Sequence, residues 1–331
     1  MAVAVAVLLS AVGAGVLVGA ADLGVGRVVA EILAQLTGGV SPLSEREAAI
    51  LWQIRVPRVV LGGLVGAALA GSGAAYQSVF RNPLADPYLL GAAAGAGLGA
   101  TLAVVATPTT SEWIVGPLPL AAFVGALTGV GLAWLLGRSA GPGTASLVLA
   151  GVAVTAFLTA IQTFVAQANT DDFREVYAFI LGSLGTSGWS DVVLLVPYVA
   201  LATVVLLMCA RLLDVLAVGD EEAASLGIHP GRVRLAVVLA ASLATAAAVA
   251  VAGLIGFVGI IVPHLVRLAV ASSYRVVLPL SLLGGAAFLV AADIVARSVV
   301  SPAELPIGVV TAFTGAPFFA LILRATRAGA R

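Results

Sequence analysis

Long apolar runs, interrupted only by short polar stretches, occupy most of this 331-residue sequence. An α-helix needs about 20 apolar residues to cross the roughly 30 Å of hydrocarbon in a bilayer, whereas barrel strands alternate apolar and polar residues. The chain is 61% hydrophobic and only 10% charged, while an ordinary soluble domain carries roughly 25% charged residues. The runs therefore predict an all-α polytopic membrane protein.

The apolar runs are bounded by charged residues, proline or glycine, and they predict about ten transmembrane helices in a single domain over residues 1–331. Their ranges are 2–21, 56–79, 88–107, 115–137, 145–168, 191–213, 233–253, 256–271, 277–299 and 306–324. No basic segment precedes the first run, so we interpret it as a retained span. The eighth run is short and contains Gly256, Gly259 and Pro263, which predicts a broken or partly buried helix.

Arginine placement predicts which side of the membrane each loop faces. An even number of spans puts both termini on one side, and cytoplasmic termini place ten of the 16 basic residues inside, as the positive-inside tendency requires. The outer side is then acidic. Its acidic residues are Asp22, Glu31, Glu45, Glu47, Glu112, Asp171, Asp172, Glu175 and Glu304.

The chain contains no lysine, and this limits its chemistry. A P-loop needs the lysine of G-x-x-x-x-G-K-[ST], so any ATP hydrolysis that powers this protein belongs to another chain. Neither a G-x-S-x-G elbow nor an H-E-x-x-H helix is present, so we expect a non-enzyme without catalytic residues. His264 lacks a second imidazole or thiolate nearby in sequence, and we expect neither a metal nor a cofactor in this chain.

Glycine is concentrated inside the predicted spans, notably in residues 62–73 and 91–100. In lipid, small residues let helix backbones approach closely. We interpret these segments as helix–helix contacts rather than as a composition bias.

Four stretches, in this order along the chain, together resemble the FecCD-type permease family. They are residues 55–91 (RVPRVVLGGLVGAALAGSGAAYQSVFRNPLADPYLLG), 253–268 (GLIGFVGIIVPHLVRL), 292–297 (ADIVAR) and 304–323 (ELPIGVVTAFTGAPFFALIL). Members of this family are the membrane subunits of ABC importers for ferric siderophores, haem and cobalamin. The resemblance implies a BtuC-like type II ABC importer fold in the bacterial cytoplasmic (inner) membrane.

The resemblance also implies partners. These are a second copy of the chain or a homologous permease, two ATP-binding cassette subunits that hold ATP and Mg, and an extracytoplasmic substrate-binding protein. For docking that binding protein, it implies Arg55, Arg58 and Arg297, because a guanidinium offers two parallel donors to a carboxylate. The alternative interpretation is that these arginines anchor helix ends.

The polar loop at about 214–232 is the expected contact with the ATPase. Its acidic start and Gly227 predict a short helix with a C-terminal stop. An ordinary solvated loop is the alternative. The residues that the resemblance assigns to coupling are Glu221, Glu222, Ala224, Leu226 and Gly227.

Five further residues are expected along the translocation path. Asn82, Leu84 and Thr144 match family positions near the cytoplasmic constriction, although Ala145 replaces a serine that is frequent in cobalamin permeases. Gln162 and Gln167 lie on the fifth span and either line the path or form interhelical hydrogen bonds.

These interpretations favour a permease subunit that translocates a ferric siderophore or similar large chelate by alternating access, and haem and cobalamin remain open. An ion-coupled secondary transporter is the alternative of a different class. Such a transporter buries an Asp, Glu or His relay, and only Asp293 qualifies here. Arg297 follows Asp293 by one helical turn and is its expected partner.

Overall fold

The structure is a computed structural model, and within the residues that it describes it is helical without β-strands. The described residues are 1–19, 21–106, 117–141, 143–169, 173–185, 188–270, 272–301 and 303–328. Glu112, Asp171, Asp172 and the predicted span residues 20, 107, 115–116 and 271 therefore lie outside the described part.

Fourteen α-helices follow one another along the described chain. They are α1 (Ala2–Leu17), α2 (Val25–Thr37), α3 (Glu45–Ala49), α4 (Val56–Val79), α5 (Ala92–Ala106), α6 (Pro117–Ala140), α7 (Thr144–Ala168), α8 (Phe173–Leu181), α9 (Trp189–Val218), α10 (Asp220–Ser225), α11 (Pro230–Ala252), α12 (Val258–Ala269), α13 (Tyr274–Ser298) and α14 (Ile307–Ala328). A π-helical turn, Ile50–Arg55, joins α3 to α4.

Each of the ten predicted spans corresponds to one helix, which confirms the expected fold class. These helices are α1, α4, α5, α6, α7, α9, α11, α12, α13 and α14. Six helical segments of the described chain are long and apolar enough to cross a bilayer, and four more are shorter apolar helices of 10–17 residues. The protein is therefore a polytopic membrane protein.

The eighth span is interrupted, as its glycines and proline predict. Residues 253–257 are not helical, and α12 begins after Phe257, whose φ is 71°. The hydroxyl of Tyr88 accepts a hydrogen bond from the Ile255 N–H and donates one to the Ile255 carbonyl, both at 3.1 Å. Irregular backbone at membrane depth needs such internal partners, because lipid offers none.

Two amphipathic helices, α2 and α8, were not predicted because neither is long or apolar enough to resemble a span. In α2, Val28 is buried against the bundle, whereas Val25, Val29 and Leu33 are exposed along the opposite face. The second helix, α8, lies between α7 and α9 and contributes to the cavity described below.

Glycines form the closest helix contacts, which confirms their interpretation as packing positions. Helices α4 and α13 cross where Gly66 faces Gly285, and a Cβ on either glycine would overlap the carbonyl oxygen of the other. Gly95 of α5 and Gly125 of α6 are related in the same way. Most residues of α4 and α11 are buried, so these two helices form the centre of the bundle.

We predict that Gly66→Ala destabilises the fold, because the added methyl group forces the α4 and α13 backbones apart. The expected loss is about 1–3 kcal/mol, the usual cost of overpacking. The matched control is Gly131→Ala in α6, where a Cβ would meet no described atom within 4 Å. Thermal denaturation in detergent, followed by the fraction of monodisperse protein, should show a lower Tm for the Gly66 variant only. Equal Tm values for both variants would contradict the proposed contact.

Candidate functional site: a polar cavity and two charged bundle ends

A cavity of about 430 Å³ opens between α5, α7 and α8. Alanines of α5, threonines and amides of α7, and apolar residues of α8 form most of its wall. Of the described residues that line it, none is charged. The cavity can therefore contact a large solute through amide and hydroxyl groups without binding it through ion pairs.

Two of the predicted path residues, Gln162 and Gln167, line this cavity. The amide of Gln162 packs over Gly97 of α5, where a Cβ would lie 2.7 Å from its Oε1. Glycine at position 97 thus makes room for the amide beside α5. Thr155, Thr159 and Thr163 add hydroxyl groups to the cavity wall, and they were not predicted because threonine is common in apolar spans.

Backbone hydrogen bonds hold α8 beside the cavity. After α8 the chain turns at Gly182, whose φ is 72°. The Ser183 N–H donates to the Ala252 carbonyl at 3.0 Å, and the Ile307 N–H donates to the Gly182 carbonyl at 3.2 Å. The end of α8 is therefore tied both to the end of α11 and to the start of α14.

The end of the bundle nearest to this cavity, which we call the arginine end, contains the three predicted docking arginines. Arg55, Arg58 and Arg297 are only 4%, 7% and 3% exposed. Arg58 donates from Nε and Nη2 to Asp293 Oδ1 at 3.0 and 2.8 Å, and from Nη1 to Glu304 Oε1 at 2.8 Å. It therefore joins α4 to α13 and to the loop before α14.

The other two arginines cap the end of α1. Arg55 donates to the carbonyls of Val16, Leu17 and Ala21, and Arg297 donates to the carbonyl of Gly15. The last carbonyls of a helix lack intrahelical partners, so these bonds satisfy them. The predicted Asp293–Arg297 ion pair is confirmed at 3.3 Å, although Arg58 forms the hydrogen bonds to Asp293.

The opposite end of the bundle contains the short helix that the polar loop predicts. Asp220 begins α10 and pairs with Arg234 Nη2 at 2.8 Å and with Arg81. Partial burial would raise the pKa of Asp220, but hydrogen bonds and charge attraction, first from Arg234 and then from Arg81, lower it overall. Gly227 has a φ of 75° and follows the helix, as the stop signal requires.

All five predicted coupling residues are exposed, whereas their neighbour Ala223 is buried. Leu226 is 69% exposed, so its side chain is free to contact a partner. The loop is shorter than the predicted range 214–232, because the flanking helices reach into it. Helix α9 ends at Val218, and α11 begins at Pro230. The coupling role itself remains a prediction.

The other predicted path residues are not among the residues that line the cavity. Asn82 and Leu84 are exposed in the turn after α4, where Asn82 Oδ1 accepts a hydrogen bond from the Leu84 N–H at 2.9 Å. Thr144 begins α7, about 27 Å along that helix from Gln162. The structure thus places these three residues at the α10 end, and the constriction remains a prediction.

Comparison with known proteins identifies the class. The model of the FecCD transport family matches residues 3–325. The cobalamin import system permease protein BtuC of Halobacterium salinarum is 44% identical over 280 residues, which cover 85% of this chain and 74% of the relative. The hemin transport system permease protein HmuU of Yersinia pestis is 39% identical over 286 residues, with 83% of each chain covered.

A solved structure described as an inward-facing metal-chelate type ABC transporter matches the fold with a TM-score of 0.82. Its sequence is 26% identical, and the match covers 97% of each chain. Together with the helical bundle and its uncharged cavity, these matches define a membrane transport permease. The chain belongs to the FecCD transport family.

We predict that Asp293→Asn strongly destabilises the arginine end, because Arg58 and Arg297 would both lose a buried counter-charge. Breaking a buried ion pair costs about 3–5 kcal/mol. The control is Glu304→Gln, whose carboxylate is 37% exposed and whose loss should cost about 0–1 kcal/mol. Folded yield and Tm in detergent measure both effects. An Asp293 variant as stable as the Glu304 variant would contradict this account.

Proposed function

We propose that this chain is the permease subunit of a binding-protein-dependent ABC importer and that it translocates a large metal chelate by alternating access. The observation that carries the proposal is a cavity at one end of the bundle, lined by no charged side chain among the described residues, with the short exposed helix α10 at the other end. A separate ATPase would supply the energy, because the chain contains no lysine for a P-loop.

The cavity suits a solute that must be released as readily as it enters. Its wall offers amides, hydroxyls and apolar surface, and among the described residues no carboxylate or guanidinium lines it. Strong ion pairs with the wall would hold the cargo, whereas these groups contact it weakly. The cavity has a volume of about 430 Å³, which lies within the roughly 300–1,000 Å³ of small-molecule pockets. Two copies that face each other would enclose a bulky chelate more completely than one copy.

The proposed cargo is a ferric siderophore or similar large chelate, with haem and cobalamin as alternatives. The relatives include a cobalamin permease, a hemin permease and an Fe(3+)-citrate permease of Bacillus subtilis that is 34% identical. The described part of the wall carries no charge and so does not distinguish these cargoes by charge. The proposed binding protein, which would deliver the cargo from outside, therefore selects it.

Coupling to the ATPase would use the exposed side of α10. Ala223 anchors this helix to the bundle, while Glu221, Glu222 and Leu226 project from it. A short helix with one apolar side chain and two acidic ones can insert into a cleft of a partner subunit. Because α10 follows α9 directly, its displacement would be transmitted to a long membrane helix.

Docking of the binding protein would use the arginine end. Arg55 and Arg297 are committed to backbone carbonyls of α1, whereas Nη1 of Arg58 contacts the partly exposed Glu304. A carboxylate of the binding protein would therefore reach Arg58 by replacing Glu304. This exchange keeps the guanidinium paired in both states, which avoids an uncompensated buried charge.

An ion-coupled transporter fits the geometry less well. Asp293, the candidate relay that the sequence predicts, is paired with two arginines and is not among the described residues that line the cavity. A coupling carboxylate must instead exchange its ion or proton with the path. This observation supports the ATP-driven proposal.

We predict that Leu226→Ala uncouples the importer, because the ATPase would lose an apolar anchor. Burying a leucine is worth about 1.5–3 kcal/mol, so ATP-driven uptake should fall about tenfold or more. The control is Leu201→Ala, which truncates another exposed leucine in the middle of α9, away from α10. Uptake by proteoliposomes containing the whole complex measures the effect. Unchanged uptake by the Leu226 variant would contradict the coupling assignment.

We predict that Gln162→Trp reduces uptake at least tenfold by filling the cavity, while the complex still assembles and hydrolyses ATP. The control is Thr128→Trp, at an exposed position of α6 outside the cavity. The ratio of transported cargo to hydrolysed ATP separates a blocked path from a damaged motor. Uptake that is equal in the two variants would show that the cavity is not part of the path.

A further inference from the structure

A second opening, which we call the basic pocket, lies at the α10 end of the bundle. It has a volume of about 750 Å³ and is bounded by the end of α6, the start of α7 and the start of α11. The side chains used below are Trp134, Arg138, Leu147, Arg232, Arg234 and Leu235. It is separate from the polar cavity at the arginine end, with which it shares no lining residue.

The basic pocket has an excess of positive charge. Three arginines line it, and no acidic residue is among the described lining residues. Within the described part of the chain, Arg138 and Arg232 have no ion-pair partner. Arg234 binds Asp220 through Nη2, while its buried Nε has no hydrogen-bond acceptor among the described residues. The pocket therefore offers guanidinium donors that match an anion with several acceptor oxygens.

The rest of the basic pocket is apolar and is continuous with the outer surface of the bundle. Trp134, Leu147 and Leu235 form its apolar wall. Leu239, one turn after Leu235 on α11, is exposed, and so are the leucines that follow Trp134 on α6. Tryptophan and arginine at the end of a membrane helix are typical of the headgroup level of a bilayer.

We propose that the basic pocket binds the phosphate headgroup of an anionic phospholipid, with the acyl chains lying along the exposed leucines of α6 and α11. Guanidinium groups bind phosphate through paired hydrogen bonds, and basic pockets between membrane helices select anionic headgroups. The apolar wall and the neighbouring leucines favour a lipid over a soluble anion, which would use only the arginines.

The basic pocket is connected to α10 through one residue. Arg234 lines the basic pocket and also holds Asp220, the first residue of α10. An anion in the pocket would compete with Asp220 for this guanidinium. Lipid occupancy would therefore alter how firmly the start of α10 is held.

Native mass spectrometry of the full chain, released from neutral detergent, tests the proposal with dioleoyl phosphatidylglycerol and dioleoyl phosphatidylcholine as probes. The wild type should retain phosphatidylglycerol in preference to phosphatidylcholine. The variant Arg138→Gln with Arg232→Gln should weaken phosphatidylglycerol binding about tenfold or more. The matched control is Arg211→Gln with Arg275→Gln, which removes the same charge from exposed positions at the same end, outside the pocket.

Several results would overturn the proposal. Equal retention of the two lipids, or an equal loss in both double variants, would leave only general charge attraction. Competition by millimolar inorganic phosphate as strong as that by the lipid would indicate a site for a soluble anion. Unchanged lipid binding with loss of the copurifying ATPase would make the pocket a protein-docking surface. Tm values of both double variants equal to that of the wild type show that folding is intact.

Discussion

Direct contact between helix backbones at glycine holds this bundle together, and its other features depend on that contact. In lipid, burial of apolar side chains gives little net drive for helix association, so close packing must supply it. Gly66 against Gly285 fixes α4 to α13, and this contact brings Arg58 to Asp293. Glycine at position 97 similarly admits the amide of Gln162 into the polar cavity. Small residues therefore position both the charged end and the cavity wall.

The two ends of the bundle differ in the burial and pairing of their charged side chains. At the arginine end, Arg55, Arg58 and Arg297 are buried, and carboxylates or backbone carbonyls near the end of α1 accept their hydrogen bonds. At the α10 end, Asp220 shares two arginines, while Arg138 and Arg232 are exposed and unmatched within the described chain. An end with exposed, unmatched charge can exchange partners at low energetic cost. This difference agrees with a protein that is held firmly at one face and moved by a partner at the other.

The sequence predicts the spans well, because a long run of apolar residues in lipid can satisfy its backbone hydrogen bonds only by forming a helix. It also predicts α10, since an acidic start and a following Gly227 are local signals. It does not predict α2 and α8, whose short amphipathic patterns match many surface segments. Nor does it reveal that Arg58 pairs with Asp293 and Glu304, because these residues are more than 230 positions apart in the sequence. Local features can therefore be predicted from the sequence, whereas ion pairs between distant helices are seen only in the folded structure.

The central claim is that this chain is a passive conduit whose opening is driven by a separate ATPase. Reconstitution of the chain into liposomes, alone and together with its ATPase and binding protein, tests this claim most directly through the internal concentration of cargo. The account predicts accumulation above the external concentration only when the complete complex and ATP are present. Accumulation by the chain alone, driven by an imposed proton or sodium gradient, would contradict it.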